Sequence, residues 1–277
     1  MTTLKNILNI TGIGLLFLIP LITSCGLEKE STAIDELNVR IPADPERLNP
    51  MLSSSGYATQ IEDHIFMSLF AQDPVTLQYV PMLAAGKPIV KEGPLFNEKR
   101  STAYTYTIRE EAEWSDGRPV TAEDYIFSIK LALNPYVASA SWKGFLQFFL
   151  EAEADSDNPK KFKAYADRDY MHSMEITSSF AVYPRHIYDP ENLLSSFTIP
   201  GLKNYREDSL SESREKLLQQ LADEFQTARF STKIVEGAGP YRLVEYESGQ
   251  RITLAKKENW WGSDLLNAGP EKINYFI

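Results

Sequence analysis

Apolar and polar residues alternate over Tyr104–Ile108, where Thr105 and Thr107 separate Tyr104, Tyr106 and Ile108. A period of two predicts a strand with one buried face. Ser115-Asp116-Gly117 follows as a turn in which glycine is free to take positive φ. Beyond it the period becomes helical: Ala122, Tyr125, Ile126, Ile129 and Leu133 share one face, and Thr121 with Asp124 three residues on forms a capping box. Asn134-Pro135 stops the helix. Asp116, Glu123 and Asp124 could be read as an acid/base set, but the turn accounts for Asp116 and the cap for Asp124.

The same reading extends along the chain. Leu37, Val39 and Ile41 predict a first strand ended by Pro42 and Pro45, and Tyr57, Ile61, Ile65 and Leu69 predict a helix over 57–70. Prolines and glycines break any long helix between 73 and 99. Residues 151–169 are charged and aperiodic at their start, which leaves a surface excursion or a short helix open; within them the basic run 159–163 reads as a solvated loop. Ser209 with Glu212 predicts a capped helix carrying Leu217, Leu221, Phe225 and Ala228. Two strands, Tyr241–Tyr246 and Arg251–Ala255, form a hairpin across Ser248-Gly249, and the chain ends in an apolar strand, Ile273–Ile277, expected to be exposed.

At the other end, Asn6–Ser24 carries no charge, and its apolar core has the length of a signal-peptide h-region rather than a membrane span. Ile22-Thr23-Ser24-Cys25 resembles a bacterial lipobox, which implies a lipoprotein signal peptide over 1–24, diacylation of Cys25, and a polar tether over 25–36. Cys25 is the only cysteine, so no internal disulfide can form. With 28 Lys and Arg against 38 Asp and Glu the net charge is −10, which argues against nucleic acid and anionic lipid surfaces as partners.

Enzyme chemistry finds little support. The chain lacks a Gly-x-Ser-x-Gly elbow, a Cys-x-x-Cys pair, a His-Glu-x-x-His motif and a Walker loop. Gly237-Ala238-Gly239-Pro240 starts like a phosphate loop, but Pro240 removes a needed N–H, and a tight turn before a strand is the better reading. His64, His172 and His186 have no metal-ligand spacing. No cofactor and no metal are expected.

Several stretches resemble, in order, the extracellular solute-binding proteins of family 5, which serve peptide and nickel ABC importers. They are residues 37–86 with Leu48-Asn49-Pro50, residues 104–133, Tyr183-Pro184-Arg185-His186-Ile187-Tyr188, and residues 237–262 with Gly-Ala-Gly-Pro-Tyr and the Trp260-Trp261-Gly262 ending. The resemblance implies an α/β fold, periplasmic-binding-protein-like (type II, peptide-binding class). Its incomplete first lobe would be formed by 37–70 and 183–277, and a small accessory domain by 71–182, with the second lobe absent and the chain a fragment or a truncated gene.

It further implies a cleft wall at Ser53, Ser54, Ser55, Gly56 and Tyr57, with aromatic contacts from Tyr136 and Trp142. The alternatives are a plain helix-entry loop capped by Ser55, and core packing for the aromatics. The implied function is capture of a small solute, an oligopeptide first among the candidates, by hinge closure without covalent chemistry, and delivery to an ABC permease. The implied place is the bacterial cell envelope, lipid-anchored and facing the periplasm or extracytoplasmic space. An extracytoplasmic sensor or accessory binding lipoprotein would share every motif; a lipid-anchored hydrolase is disfavoured by the missing nucleophile motifs.

Overall fold

The alternating Leu37 and Val39 lie on strand β1 (Glu36–Arg40), near the start of the described residues, 35–206, 211–266 and 269–277 of a computed structural model. The signal peptide, Cys25 and all of the tether before Asp35 lie outside them. Helix α1 (Gly56–Ile65) begins at Ser55, whose Oγ accepts the Tyr57 N–H at 3.3 Å. It is shorter than its apolar repeat predicts. Phe66 is extended, and the Gly239 N–H donates to the Ile65 carbonyl at 2.8 Å, so a distant segment occupies the place of the next turn. Phe70 instead opens β2 (Phe70–Gln72), which pairs antiparallel with β3 (Tyr79–Pro81).

A four-stranded antiparallel sheet follows, built from β4 (Ile89–Glu92), β5 (Ser101–Thr107), β6 (Phe149–Ala154) and β7 (Lys161–Asp167) in the order β4-β5-β7-β6. Between β5 and β6 run two helices, α2 (Ala122–Leu133) and α3 (Ala140–Phe145). Residues 151–169 are therefore two strands, neither excursion nor helix. Their alternation is carried by alanines: Ala152, Ala164 and Ala166 face inward beside Phe149 and Phe162, and alanine leaves a weak strand signal. The basic run is not a solvated loop either. Lys160 is 5% exposed, and its Nζ donates to the Arg109 and Ala112 carbonyls at 3.1 and 2.8 Å.

Helix α4 (Ser173–Ser178) closes this sheet through tyrosine hydroxyls: Tyr104 meets Ser173 at 2.6 Å and Tyr106 meets Thr177 at 2.7 Å. Short helices α5 (Arg185–Tyr188) and α6 (Ile199–Lys203) lead to α7 (Glu212–Phe225), which buries Leu218, Leu221, Ala222 and Phe225. Ser209 lies outside the described residues, and the capping box expected there is corrected by register: Glu212 is the first residue of α7, and Ser211 stands before it without a side-chain cap bond.

The second sheet takes β8 (Tyr241–Glu247), β9 (Arg251–Lys256) and β10 (Lys272–Phe276) in the order β1-β10-β9-β8, with Gly249 at φ 71° in the hairpin. The last strand is not an exposed edge: β10 pairs parallel with β1 and antiparallel with β9, which buries Ile273 and Tyr275. One continuous apolar core joins residues of both four-stranded sheets to α2 and α7. Among the described residues no helix is long and apolar enough to cross a membrane.

Candidate functional site

The loop that leads into α1 is fixed from below by one buried asparagine. Asn49, fully buried, accepts the Met51 N–H at 3.1 Å and the Tyr183 hydroxyl at 2.9 Å, and its Nδ2 donates to the Phe230 carbonyl at 3.3 Å. These bonds tie two distant segments, at Tyr183 and Phe230, to the loop through one side chain. Leu52 and Ser53 return their N–H groups to the Asn49 carbonyl, which tightens the loop. On its other side the Trp142 Nε1–H of α3 donates to the Pro50 carbonyl at 2.9 Å. Trp142 thus stands beside the loop, edge-on to Phe145 and Phe180.

Between loop, α1 and Trp142 opens a cleft of about 280 Å³, lined among others by Ser53, Thr59, Glu62, Phe66, Trp142 and Ser179. Glu62 is its unusual member. It falls on the buried face of α1 with Ala58, Ile61 and Ile65, and is 3% exposed. Ser53 Oγ donates to Glu62 Oε2 at 3.1 Å, whereas among the described residues Oε1 has no hydrogen-bond partner, nor has the buried Ser179 Oγ. Burial pushes the Glu62 carboxyl up to about 7, because removing a carboxylate from water outweighs the Ser53 and Asn49 hydrogen bonds that favour its charged form.

Of the residues singled out in the sequence, Ser53 and Trp142 line this cleft together. Ser55 is the helix cap, and Ser54, Gly56 and Tyr57 are exposed at the entry of α1. Tyr136 is held elsewhere: its hydroxyl meets Tyr205 at 2.9 Å and donates to Glu215 on α7. Sequence reasoning missed Glu62, although a signal was present, since positions 58, 61, 62 and 65 make one helical face and a lone carboxylate sits in it. Ser179 carried no comparable signal.

Asp124, Asp116, His64 and Trp260, also considered in the sequence, have structural partners. Asp124 accepts the Thr121 N–H and Oγ1–H at 2.9 and 3.0 Å and the Arg185 N–H at 2.9 Å. Asp116 accepts the Arg118 N–H at 3.1 Å and lies 2.9 Å from His186 Nε2. His64 packs edge-on against Tyr241. Trp260 is buried, with its indole N–H on the Ala238 carbonyl at 2.8 Å.

Residues 78–277 match the profile of the bacterial extracellular solute-binding proteins, family 5 (middle). The oligopeptide-binding protein SarA of Streptococcus gordonii is 26% identical over 256 residues, which is 89% of this chain and 34% of SarA. Among solved structures, the oligopeptide-binding protein of Thermus thermophilus complexed with a pentapeptide aligns at a TM-score of 0.65 with 19% identity, over 88% of this chain and 41% of that one. The periplasmic EDTA-binding protein EppA aligns at 0.62 with 19% identity, over 88% and 40%. The chain spans about a third of the length of SarA and about two fifths of these two structures.

Proposed function

The chain belongs to the bacterial extracellular solute-binding proteins, family 5, and on that premise we propose that it captures a peptide for an ABC importer, without covalent chemistry. The observation that carries this reading is the meeting of Ser53 and Trp142 on one cleft, which sets an aromatic ring beside small hydroxyls. A peptide needs such surroundings: an apolar plane for side chains and close approach to main-chain donors and acceptors. In the proposed wall Ser53 and Trp142 line the cleft itself, and Ser54, Ser55, Gly56 and Tyr57 continue it as the rim at the entry of α1; Tyr136 stands outside it, engaged with Glu215. The two four-stranded sheets, one with its strands within 89–167 and the other with its strands within 36–40 and 241–276, support a division into a first lobe (37–70 and 183–277) and an accessory domain (71–182); ligand capture by hinge closure is part of the proposal. Delivery to a permease, and diacylation at Cys25 facing the extracytoplasmic space, complete the proposal.

Gly56 offers a clean test, because a Cβ built there meets nothing within 4 Å. Gly56→Trp should leave the fold intact while filling space the ligand needs. Calorimetric titration of the full-length gene product with a peptide pool should show affinity reduced by roughly tenfold to a hundredfold. Unchanged affinity in a variant that melts like the parent would make this loop scaffold. The anchor is tested separately: Cys25→Ala should abolish labelled palmitate incorporation, and persistent label would refute it.

A further inference from the structure

The cleft holds a buried carboxylate whose second oxygen the protein leaves without a partner, and that arrangement is costly. An ionised group taken out of water is tolerated in a folded chain when something pairs with it. Ser53 pairs with Oε2 and the Asn49 backbone N–H also favours the charged carboxyl, but among the described residues Oε1 has no hydrogen-bond partner, although Glu62 lines the cleft at 3% exposure. On the same cleft Ser179 Oγ is also buried and, among the described residues, without a partner. Asp63, the next residue of α1, adds a second carboxylate to the lining, and among the described residues no lysine or arginine lines the cleft to neutralise either. The remaining lining includes the rings of Phe66 and Trp142, surfaces that favour a cation with an alkyl stem.

We propose that this pocket takes a cationic group of the captured solute, an ammonium or guanidinium, which donates to Glu62 Oε1 and is steadied by Ser179 Oγ. The assignment rests on the peptide-capture reading and narrows it: the preferred peptide carries a positive charge at the position that reaches α1. A free N-terminus and a lysine or arginine side chain supply the same chemistry from two sources.

Titration of the full-length gene product and of Glu62→Gln with four peptides separates these sources. Tetra-alanine is compared with its N-acetylated form, and acetyl-Ala-Lys-Ala-Ala with acetyl-Ala-norleucine-Ala-Ala. Wild type should favour the charged member of one pair by at least about tenfold, the scale of a desolvated charge pair, and Glu62→Gln should narrow that ratio to about twofold or less. Thermal melting provides a readout that needs no peptide: n-butylammonium should raise the wild-type melting temperature more than n-butanol does, and Glu62→Gln should lose the difference.

Peptides bound without regard to charge, or a charge preference that survives Glu62→Gln, would overturn the pocket assignment. So would equal effects of butylammonium on the two proteins. If no peptide binds wild type while butylammonium still stabilises wild type alone, the cation pocket stands and the peptide reading falls.

Discussion

Glu62 shows how one side chain can set a protein's response to pH. Its carboxyl is raised from 4.5 to about 7 by burial, so between these values the native state holds a proton that the unfolded chain releases. Its contribution to stability is therefore full below pH 4.5 and is lost as pH rises through 7. At about 1.4 kcal/mol per unit the loss is about 3 kcal/mol. Subtracting the denaturation profile of Glu62→Gln from that of the parent should isolate a decline confined to this window, and a flat difference would contradict the burial argument. Gly237 and Gly239 make a different residue-scale case. A Cβ on Gly237 would lie 2.4 Å from the Ile65 carbonyl oxygen, and one on Gly239 2.6 Å from that of His64. Both clashes are with backbone at the C-terminal end of α1, which cannot swing away. Alanine at either site should cost about 1–3 kcal/mol in chemical denaturation, against near neutrality for Gly86→Ala, where a Cβ meets nothing. The Gly-Ala-Gly-Pro segment thus serves close approach to a helix end, where the sequence suggested only a turn.

At the scale of elements, the strand, turn and capped helix of 104–133 were readable because every determinant is local. The period-two tyrosines, Gly117 at φ 80° and the Thr121–Asp124 box need no partner elsewhere to be recognised. The box has one non-local duty: the Asp124 carboxylate also accepts the Arg185 N–H at 2.9 Å and so joins α2 to α5. Asp124→Ala strands buried donors on both elements and should cost about 1.5–3 kcal/mol or more. Thr121→Ala removes only one hydroxyl and should cost about 1 kcal/mol. Equal costs in urea melts would show that the link to α5 is idle. What failed to be legible at this scale depends on neighbours. The early end of α1 is imposed by Gly239, and the alanine-lined β6 and β7 are strands because Tyr104 and Tyr106 face Ala164 and Phe162 across the sheet. The candidate site divides the same way. Ser53 and Trp142, singled out in the sequence, lie on its cleft, whereas its buried acid needed the helix face and the Ser53 contact to be seen as unusual.

At the scale of the whole molecule, strand order was the least legible feature, since nothing local in Leu37 or Ile273 announces that they are partners. Their pairing carries a consequence for how the protein is made. Among the described residues, β1 has β10 as its single neighbour, and the Lys272 ammonium that meets Glu36 at 2.7 Å lies 236 residues away in sequence. A ribosome adding about 5–20 residues per second therefore leaves β1 waiting on the order of 10 to 50 seconds for its partner. The β4-β5-β7-β6 sheet has all its strands between residues 89 and 167 and can assemble meanwhile. Refolding followed by pulsed hydrogen exchange should accordingly protect the Thr102–Tyr106 amides before those of Leu37–Val39 and Ile273–Tyr275. Simultaneous protection would mean that the two sheets form as one unit. During that interval Leu37 and Val39 keep an unpaired backbone, and the nascent chain stays open at its front end until almost its last described residue has emerged.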